Sequence, residues 1–420
     1  MPENDKHLIN MYDLLLSLTK AVDLVSPELA NHHQKVAYLA FKIAEQMGLS
    51  EEQKRDLVLA GLLHDIGALS LNERLELLFD EPPTSQNHAI RGAKLLEGFM
   101  PLQSTAEIIR YHHIPWNNGA GSLFGSKKVP QSSHILHLAD RIAVSIDNNR
   151  DILCQIQDIQ CRIQAQKSTN FLPEAVDAFM EISDHEYIWL DLTYKPLLYF
   201  FPQIVSFDVM HLNMDEVVDL TKIFSSIIDS NSSFTANHSA GVAATAEKLA
   251  ELAGFSKKDC KMMRVAGYLH DLGKLAVRNE ILEKPDKLNS DEFNEVRSHS
   301  FYTFRLLQSI SGFEVINEWA SFHHEKLNGN GYPFHLNGDS LSLGSRIMAV
   351  ADIFAAITED RPYRRGMTDV EAISIINEKV RDGSICPHVV AILLNNFELL
   401  NNIRRVAQNK AADENQVLIA

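Results

Sequence analysis

The segments Asn31-His32 and His64-Asp65-Ile66-Gly67 recur 206 residues later as Asn237-His238 and His270-Asp271-Leu272-Gly273. Between residues 31 and 67 this shift leaves 16 of 37 positions identical and requires no gap. An identity of that length indicates an internal duplication, and a repeat has to be recognised before a fold can be assigned. The sequence therefore predicts two related copies within one chain.

The residues around these segments follow a helical pattern. Leu220, Phe224 and Ile228, for example, recur at the spacing of one helix face, and no run of alternating apolar and polar residues indicates strands. The length of 420 residues accommodates two domains of about 200 residues, each large enough to bury a core. We predict an all-α fold with two helical bundles in tandem, at residues 1–205 and 206–420.

The composition restricts the partners and the location. A net charge of −16 argues against a nucleic-acid polymer as ligand, since such binding depends on basic surface. An anionic substrate would need metal ions or individually placed lysine and arginine side chains. The four cysteines form no CxxC pair, which favours the reducing cytoplasm, and the polar start predicts no secretory signal. Because Lys195, Pro202 and Asp208 interrupt the apolar stretch at residues 192–210, we expect no membrane span.

The second copy carries seven side chains of the types that bind metal ions. They are His238, His270, Asp271, His299, His323, His324 and Asp352. Imidazole and carboxylate donors without thiolate suit iron, manganese or zinc. Seven donors exceed the need of one ion, so the pattern predicts two ions bridged by Asp271, which could polarise a phosphate and convert a water to hydroxide. Any one of these histidines alone would more often be an ordinary core or surface residue, but ten of the 18 histidines fall on five repeated positions.

The second copy also contains four motifs in a fixed order. They are His270-Asp271-Leu272-Gly273-Lys274, His323-His324-Glu325, Asn328-Gly329-Asn330-Gly331-Tyr332-Pro333 and Asp360-Arg361-Pro362-Tyr363-Arg364. This set, within about residues 216–400, resembles the HD-GYP family, the cyclic-dinucleotide phosphodiesterases of the HD metal-phosphohydrolase superfamily. The resemblance implies tandem HD-type helical bundles and a centre of two iron or manganese ions. It also implies opening of cyclic di-GMP or 3′,3′-cyclic GMP-AMP to the linear 5′-phosphorylated dinucleotide.

The resemblance further implies a role for individual positions. The seven histidines and aspartates would ligate the metal ions, and Asp271 and Lys274 would carry the catalysis, with Lys274 at the scissile phosphate. Tyr332, Arg361 and Arg364 would hold the phosphates or bases of the substrate. These roles agree with the chemistry of the side chains, because an arginine can donate two parallel hydrogen bonds to phosphate oxygens. The glycines and proline around Tyr332 would shape a tight loop that presents its ring for stacking.

Two positions depart from the family pattern. Phe234 stands where some members carry a glutamate that supports a third ion, so two ions are expected here. Ala355 stands where the family often carries an aspartate, and the missing carboxylate bears on proton delivery to the leaving oxygen.

The first copy retains the metal-type residues but not the other motifs. Its set is Glu28, His32, His64, Asp65, His88, His112, His113 and Asp140. Ala68 replaces the lysine, Ile114 replaces the glutamate after the double histidine, and residues 116–126 contain no Gly-Tyr-Pro. The first copy thus resembles an HD domain without the GYP motif. Two interpretations stay open: a metal-binding 5′-nucleotidase that removes the terminal phosphate of the linear product, or a scaffold that keeps its metal for stability or has lost it.

Two function classes also stay open for the whole chain. The protein is predicted to be a phosphodiesterase, and the alternative is a cyclic-dinucleotide receptor with little turnover. Intact metal ligands and Lys274 favour the enzyme, whereas Ala355 favours the receptor. The interpretation allows a homodimer and does not decide between cyclic di-GMP and cyclic GMP-AMP.

Overall fold

The structure is a computed structural model of the 420-residue chain. It describes residues 8–24, 31–68, 73, 76–77, 85–194, 197, 201, 210–230, 237–284, 286–360 and 365–419. The predictions made for Glu28, Phe234, Arg361 and Arg364 lie outside the described residues. Contacts divide the chain into two units, which we call the N-terminal unit (residues 26–210) and the C-terminal unit (residues 1–25 together with 211–420).

The first helix, α1 (Met11–Asp23), belongs to the C-terminal unit. Asn10 caps it by accepting a hydrogen bond from the Tyr12 N–H at 2.9 Å. The short strand Ile9–Asn10 pairs antiparallel with His211–Leu212, and the Ser17 hydroxyl donates to the Leu306 carbonyl at 2.9 Å. The sequence boundary at residues 1–205 placed this helix with the first domain. An amphipathic stripe shows that a helix packs on something, but it does not identify the surface on which the helix packs.

The N-terminal unit is built from helices and one hairpin, Leu123–Phe124 with Lys127–Lys128. Its helices among the described residues are α2 (His32–Gln46), α3 (Glu51–Leu63), α4 (Ser85–Leu96), α5 (Gln103–Arg110), α6 (Gln131–Val144), α7 (Ile156–Ala165), α8 (Pro173–Ser183) and α9 (Glu186–Thr193). Helix α2 packs against α3 and α6 in the centre of the unit. Ser50 and Gln53 form a reciprocal capping box that starts α3.

The C-terminal unit repeats this plan and extends it. After α1 its helices among the described residues are α10 (Met214–Ser230), α11 (His238–Leu252), α12 (Lys257–Leu269), α13 (Asn279–Leu282), α14 (Ser290–Arg297), α15 (His299–Leu307), α16 (Glu314–Ser321), α17 (Leu343–Thr358), α18 (Asp369–Arg381), α19 (Pro387–Asn395) and α20 (Phe397–Ile419). Helix α11 packs against α12, α17 and α20. A 3₁₀ turn, Leu272–Ala276, follows α12.

Equivalent glycines bring the central helices together in both units. A Cβ atom on Gly61 would lie 2.5 Å from the Cα of Ala37, and one on Gly267 would lie 2.5 Å from the Cα of Ala243. Each glycine therefore lets α3 or α12 approach its neighbour closely, three residues before the His-Asp pair. The predicted all-α class and the tandem arrangement are confirmed. None of the helices in the described part of the chain is both long and apolar enough to cross a membrane.

Candidate metal centres and substrate site

The seven predicted ligands of the C-terminal unit lie on five separate segments and meet in one place. His238 begins α11, His270 caps the end of α12, and His299 begins α15. The pair His323-His324 follows α16 after one intervening residue, and Asp352 lies within α17. Helix ends therefore carry most of the set, which explains the long gaps between them in the sequence.

The ligands form two groups on either side of Asp271. In the first group, His238 Nε2 lies 3.1 Å from Asp352 Oδ1, and His270 Nε2 lies 3.9 Å from the same oxygen. In the second group, His299 Nε2 lies 3.3 Å from His323 Nε2. Asp352 completes the first group and His324 completes the second. The donor atoms of each group lie within 4.8 Å of one another. Each group could therefore enclose one ion.

Asp271 directs one carboxylate oxygen to each group. Its Oδ2 lies 3.2 Å from His270 Nε2, and its Oδ1 lies 3.4 Å from His299 Nε2. The Oδ1 atom is buried and has no hydrogen-bond partner among the described residues. A buried carboxylate oxygen without a partner is costly unless a cation compensates it. The arrangement fits a carboxylate that bridges two metal ions.

Backbone carbonyls orient three of the histidines toward the centre. The Nδ1 atoms of His270, His299 and His323 each bond to the carbonyl three residues earlier, at 2.8, 2.6 and 2.7 Å. A hydrogen bond from Nδ1–H to a carbonyl fixes the ring tautomer and leaves Nε2 with its lone pair toward the ion. The turn after each helix therefore fixes the histidine ring with Nε2 directed toward the cluster.

The electrostatics keep His299, His324 and Asp271 in the protonation states that a metal ligand needs. Burial lowers the pKa of His299 to about 3 and that of His324 to about 4, so both rings are neutral near pH 7. Burial acts to raise the pKa of Asp271, but His270 and Lys274 outweigh it and hold that pKa well below its usual range. Metal ions bind neutral imidazole and ionised carboxylate, so these protonation states suit a metal centre.

Lys274 lies at the Asp271 carboxylate. Its Nζ is 2.6 Å from Asp271 Oδ2, and although burial lowers its pKa, the Asp271 carboxylate raises that pKa above the ordinary lysine value. Gly273 places this turn against α15, because a Cβ there would lie 2.0 Å from the His299 carbonyl oxygen. The structure therefore puts a permanent positive charge beside the ligands.

The Gly-Tyr-Pro loop is attached to the double histidine. The Tyr332 N–H donates to the His324 carbonyl at 3.2 Å, and the ring centroids of these residues are 4.8 Å apart. Glu325, whose role the sequence analysis did not assign, accepts hydrogen bonds from the N–H groups of Phe334 and Leu336 at 2.7 and 3.0 Å. Gly331 packs on Glu325, since a Cβ there would lie 2.4 Å from the Glu325 Cα. The half-buried Tyr332 ring consequently stands at the edge of the centre.

The N-terminal unit assembles the same ligand geometry around Asp65. Asp65 Oδ2 lies 3.2 Å from His64 Nε2, and Asp65 Oδ1 lies 3.2 Å from His88 Nε2. One group of donors contains His32, His64 and Asp140, and the other contains His88, His112 and His113. Backbone carbonyls again orient the rings: His64 Nδ1 lies 3.0 Å from the Gly61 carbonyl oxygen, and His112 Nδ1 lies 2.7 Å from the Ile109 carbonyl oxygen. Of the predicted set for this unit, every member that the structure describes lies in the cluster.

Two features of the N-terminal cluster were missed by the sequence analysis. His33 offers a further donor atom within 4.8 Å of those of His64 and Asp65, and its counterpart in the second copy is Ser239. Arg141 donates to Asp140 Oδ2 at 2.6 Å and to the Leu77 carbonyl at 3.1 Å. The sequence does show the doubled histidine at 32 and 33, which was the available signal for the first feature.

The region after the double histidine differs between the units. In the N-terminal unit it forms the 3₁₀ segment Asn117–Ser122 and the following hairpin. The Trp116 ring there packs edge-on against His134, with centroids 5.2 Å apart. Ala68, at the place of Lys274, is fully buried. The described part of this unit therefore offers neither the lysine nor the tyrosine found in the C-terminal unit.

Comparison with known proteins agrees with this arrangement. Two HD-domain families match the chain, one over residues 222–389 and one over residues 29–145. The chain is 30% identical over 400 residues to 3′3′-cGAMP-specific phosphodiesterase 1 of Vibrio cholerae, covering 93% of this chain and 92% of that protein. It is 40% identical over 143 residues to a cyclic di-GMP phosphodiesterase of Pseudomonas aeruginosa, covering 33% of this chain and 34% of that protein.

A solved structure has a similar fold. The crystal structure of a cyclic GMP-AMP-specific phosphodiesterase of Vibrio cholerae superposes with a TM-score of 0.65 at 26% identity, covering 94% of this chain and 98% of that chain. Two helical units that each gather histidines around a His-Asp pair define an HD-domain protein. Within that class, the chain belongs to the HD-GYP family of metal-dependent phosphohydrolases and carries a further HD domain before its HD-GYP domain.

Proposed function

We propose that this chain is a metal-dependent phosphodiesterase that opens a cyclic dinucleotide to the linear 5′-phosphorylated dinucleotide, and that the C-terminal unit carries out the reaction. The observation behind this assignment is that Lys274 lies 2.6 Å from Asp271, while the Gly-Tyr-Pro loop is hydrogen-bonded to His324 of the same cluster. The described N-terminal unit has Ala68 at the equivalent place. A ring with two phosphates and two bases needs both a phosphate contact and a base contact near the metal ions.

The residues of the C-terminal unit would hold two divalent ions, of which iron or manganese suits the nitrogen and oxygen donors. Bound there, the ions would supply a hydroxide nucleophile and polarise the phosphate. Asp271 would hold both ions through its two oxygens, and the charged Lys274 would contact a non-bridging oxygen of the scissile phosphate, where negative charge develops. Tyr332 would stack on a base. Arg361 and Arg364 would bind the second phosphate or a base, a prediction made from the sequence.

We further propose a preference for 3′,3′-cyclic GMP-AMP over cyclic di-GMP. The support comes from relatives: the cyclic GMP-AMP-specific enzyme aligns over 92% of its length, whereas the cyclic di-GMP phosphodiesterase of Pseudomonas aeruginosa aligns over 34%. Initial rates on the two cyclic dinucleotides, measured side by side with iron or manganese under reducing conditions, test both proposals. A higher rate on cyclic GMP-AMP is expected. Binding of both compounds without turnover would instead support the receptor function that Ala355 suggested.

The N-terminal unit is proposed to be a 5′-nucleotidase that removes the terminal phosphate from the linear product. Its support is the cluster around Asp65, combined with the absence of the lysine and the tyrosine from the described part of this unit, which suits a small phosphate monoester better than a ring. Arg141, held at Asp140, could contact the phosphate from the edge of this cluster. The test is release of inorganic phosphate from the linear dinucleotide by the full chain and by the His64→Ala, Asp65→Ala variant. Equal release, or none from either protein, would make this unit a scaffold.

Two further predictions from the sequence stay as predictions. They are a cytoplasmic location and the option of a homodimer. Size-exclusion chromatography with light scattering measures the second directly.

A further inference from the structure

We infer that the C-terminal helix α20 takes part in the metal centre, with Glu359 and Gln408 acting as positioning residues for His238. This inference rests on the proposed role of His238 as a metal ligand. It assigns a function to two side chains that belong to none of the motifs, one of them 49 residues after the other.

His238 is oriented differently from three other histidines of the centre. His270, His299 and His323 direct Nδ1 to a backbone carbonyl, whereas His238 directs Nδ1 to the Glu359 carboxylate at 2.9 Å. Its Nε2 faces Asp352 Oδ1 at 3.1 Å, on the side where an ion would bind. Both His238 and Glu359 are buried, with 4% of the surface of each exposed. A carboxylate at Nδ1 fixes the tautomer, aims the ring and increases its basicity as a ligand.

Glu359 is in turn held by α20. The Gln408 side-chain amide donates to Glu359 Oε2 at 2.9 Å, which is the oxygen that also faces His238. The Gln408 carbonyl oxygen accepts a hydrogen bond from Arg404, a buried residue that also donates to Asn401 at 2.8 Å. Three side chains of α20 thus form a connected network that ends at the metal-type histidine.

The surface of α11 is shaped for this contact. Gly241 lies one turn after His238, and a Cβ there would lie 2.8 Å from the Gln408 amide nitrogen. Any larger side chain would press on Gln408. The ion pair between Lys222 and Glu414, at 2.7 Å, fastens the later part of α20 to α10. Contacts with α10 and α11 therefore hold α20 close to the centre.

At the matching positions that the structure describes, the N-terminal unit has no such network. Asp147 follows Asp140 by the same seven residues by which Glu359 follows Asp352. Helix α6 ends at Val144, so Asp147 is exposed and accepts a hydrogen bond from the Asn149 N–H at 2.9 Å. Helix α17 continues to Thr358 and carries the next residue, Glu359, back toward His238. Lys35 occupies the place of Gly241 and donates to Asn148.

The test measures manganese binding by the full-length protein, by equilibrium dialysis and metal analysis over a series of free Mn²⁺ concentrations. The sites lost in a His270→Ala, Asp271→Ala variant identify the C-terminal centre. We expect Glu359→Ala to raise the free Mn²⁺ needed to half-fill those sites by about 10- to 100-fold, the usual cost of removing such a partner. Glu359→Gln should recover most of the affinity, because its carbonyl oxygen can still accept from His238. Gln408→Leu should give an intermediate shift.

Two variants serve as matched controls. Asn409→Leu changes an exposed neighbour of Gln408 on α20, and Asp147→Ala changes the exposed counterpart of Glu359. Both should bind Mn²⁺ like the wild type. The inference is overturned if folded Glu359→Ala binds Mn²⁺ like the wild type, or if Glu359→Gln fails to recover affinity. Should Glu359→Ala not fold, wild-type affinity in Gln408→Leu overturns it. If wild type and His270→Ala, Asp271→Ala bind the same number of ions, the proposed metal centre itself is wrong.

Discussion

The two units assemble the same histidines and aspartates but differ in what surrounds them. In the C-terminal unit Lys274 contacts the Asp271 carboxylate, and Tyr332 stands at the edge of the centre. In the N-terminal unit Ala68 replaces the lysine, and a 3₁₀ segment with a hairpin follows the double histidine. The comparison separates two requirements. The shared cluster is assembled mostly from helix ends and the turns after them, whereas recognition of a large anionic ring needs additional groups around the cluster.

The largest effect that we expect from removing one of these differences is the loss of kcat on substitution of Lys274. Lys274→Ala should lower kcat for ring opening by about 10²- to 10³-fold, the usual cost of losing one donor that stabilises developing negative charge. Bound manganese should change little, because Lys274 is not a ligand. The converse substitution, Ala68→Lys, should not produce ring opening by the N-terminal unit. Initial rates together with metal analysis check this prediction, and an unchanged kcat would contradict it.

The next effect concerns Tyr332. Tyr332→Ala should raise KM for the cyclic dinucleotide about tenfold, because base stacking on an aromatic ring contributes roughly 1–3 kcal/mol. Tyr332→Phe retains the ring and should stay near the wild-type value. Steady-state kinetics on the three proteins measure the effect. Equal losses in both variants would assign the role to the hydroxyl instead of the ring.

A third prediction compares the ion content of the two units. The His270→Ala, Asp271→Ala and the His64→Ala, Asp65→Ala variants should each lose about two bound ions per chain, since each pair contributes the bridging carboxylate of a two-ion site. Metal analysis after dialysis gives the count. A loss of three ions from the C-terminal unit would show that a third site exists there, and no loss from the N-terminal unit would show a metal-free scaffold.

A fourth prediction concerns the dependence of stability on pH in the metal-free protein. The pKa values of His299 and His324 are lowered to about 3 and about 4 in the folded state, against 6.5 in the unfolded state. Between those values the unfolded chain binds more protons, so this contribution to stability is present above pH 6.5 and is lost as the pH falls toward 4. Melting temperatures of the wild type and of a His299→Gln, His324→Gln variant, from pH 7 to pH 4.5, test this. Parallel profiles would contradict the assignment.

The cluster of histidines and aspartates was predictable from the sequence because the duplication repeats it. His270 and His64 are recognisable through their aspartate neighbours and their shared spacing to Gly273 and Gly67. The adjacent histidines at 323 and 324 were a second recognisable motif. The all-helical class followed from the period of the apolar residues. These signals are local or repeated, so they do not require knowledge of which segments meet in space.

The contacts that the sequence did not reveal join distant segments. Glu359 lies 121 residues from His238, and Ser17 lies 289 residues from its partner Leu306. In the sequence, a single glutamate after a helix looks like any solvated surface charge. Its role becomes visible only when the position of that helix next to His238 is known. The same reasoning explains why α1 was assigned to the first domain. Its apolar stripe specifies burial but not the partner surface.

The division of work between the units is the central claim, and a single time course tests it most directly. 3′,3′-Cyclic GMP-AMP is incubated with the wild type, the His270→Ala, Asp271→Ala variant and the His64→Ala, Asp65→Ala variant, and the linear dinucleotide and inorganic phosphate are measured together. We predict that the first variant leaves the ring intact, while the second opens it at the wild-type rate and accumulates the phosphorylated linear product. Comparable loss of ring opening in both variants would contradict the account.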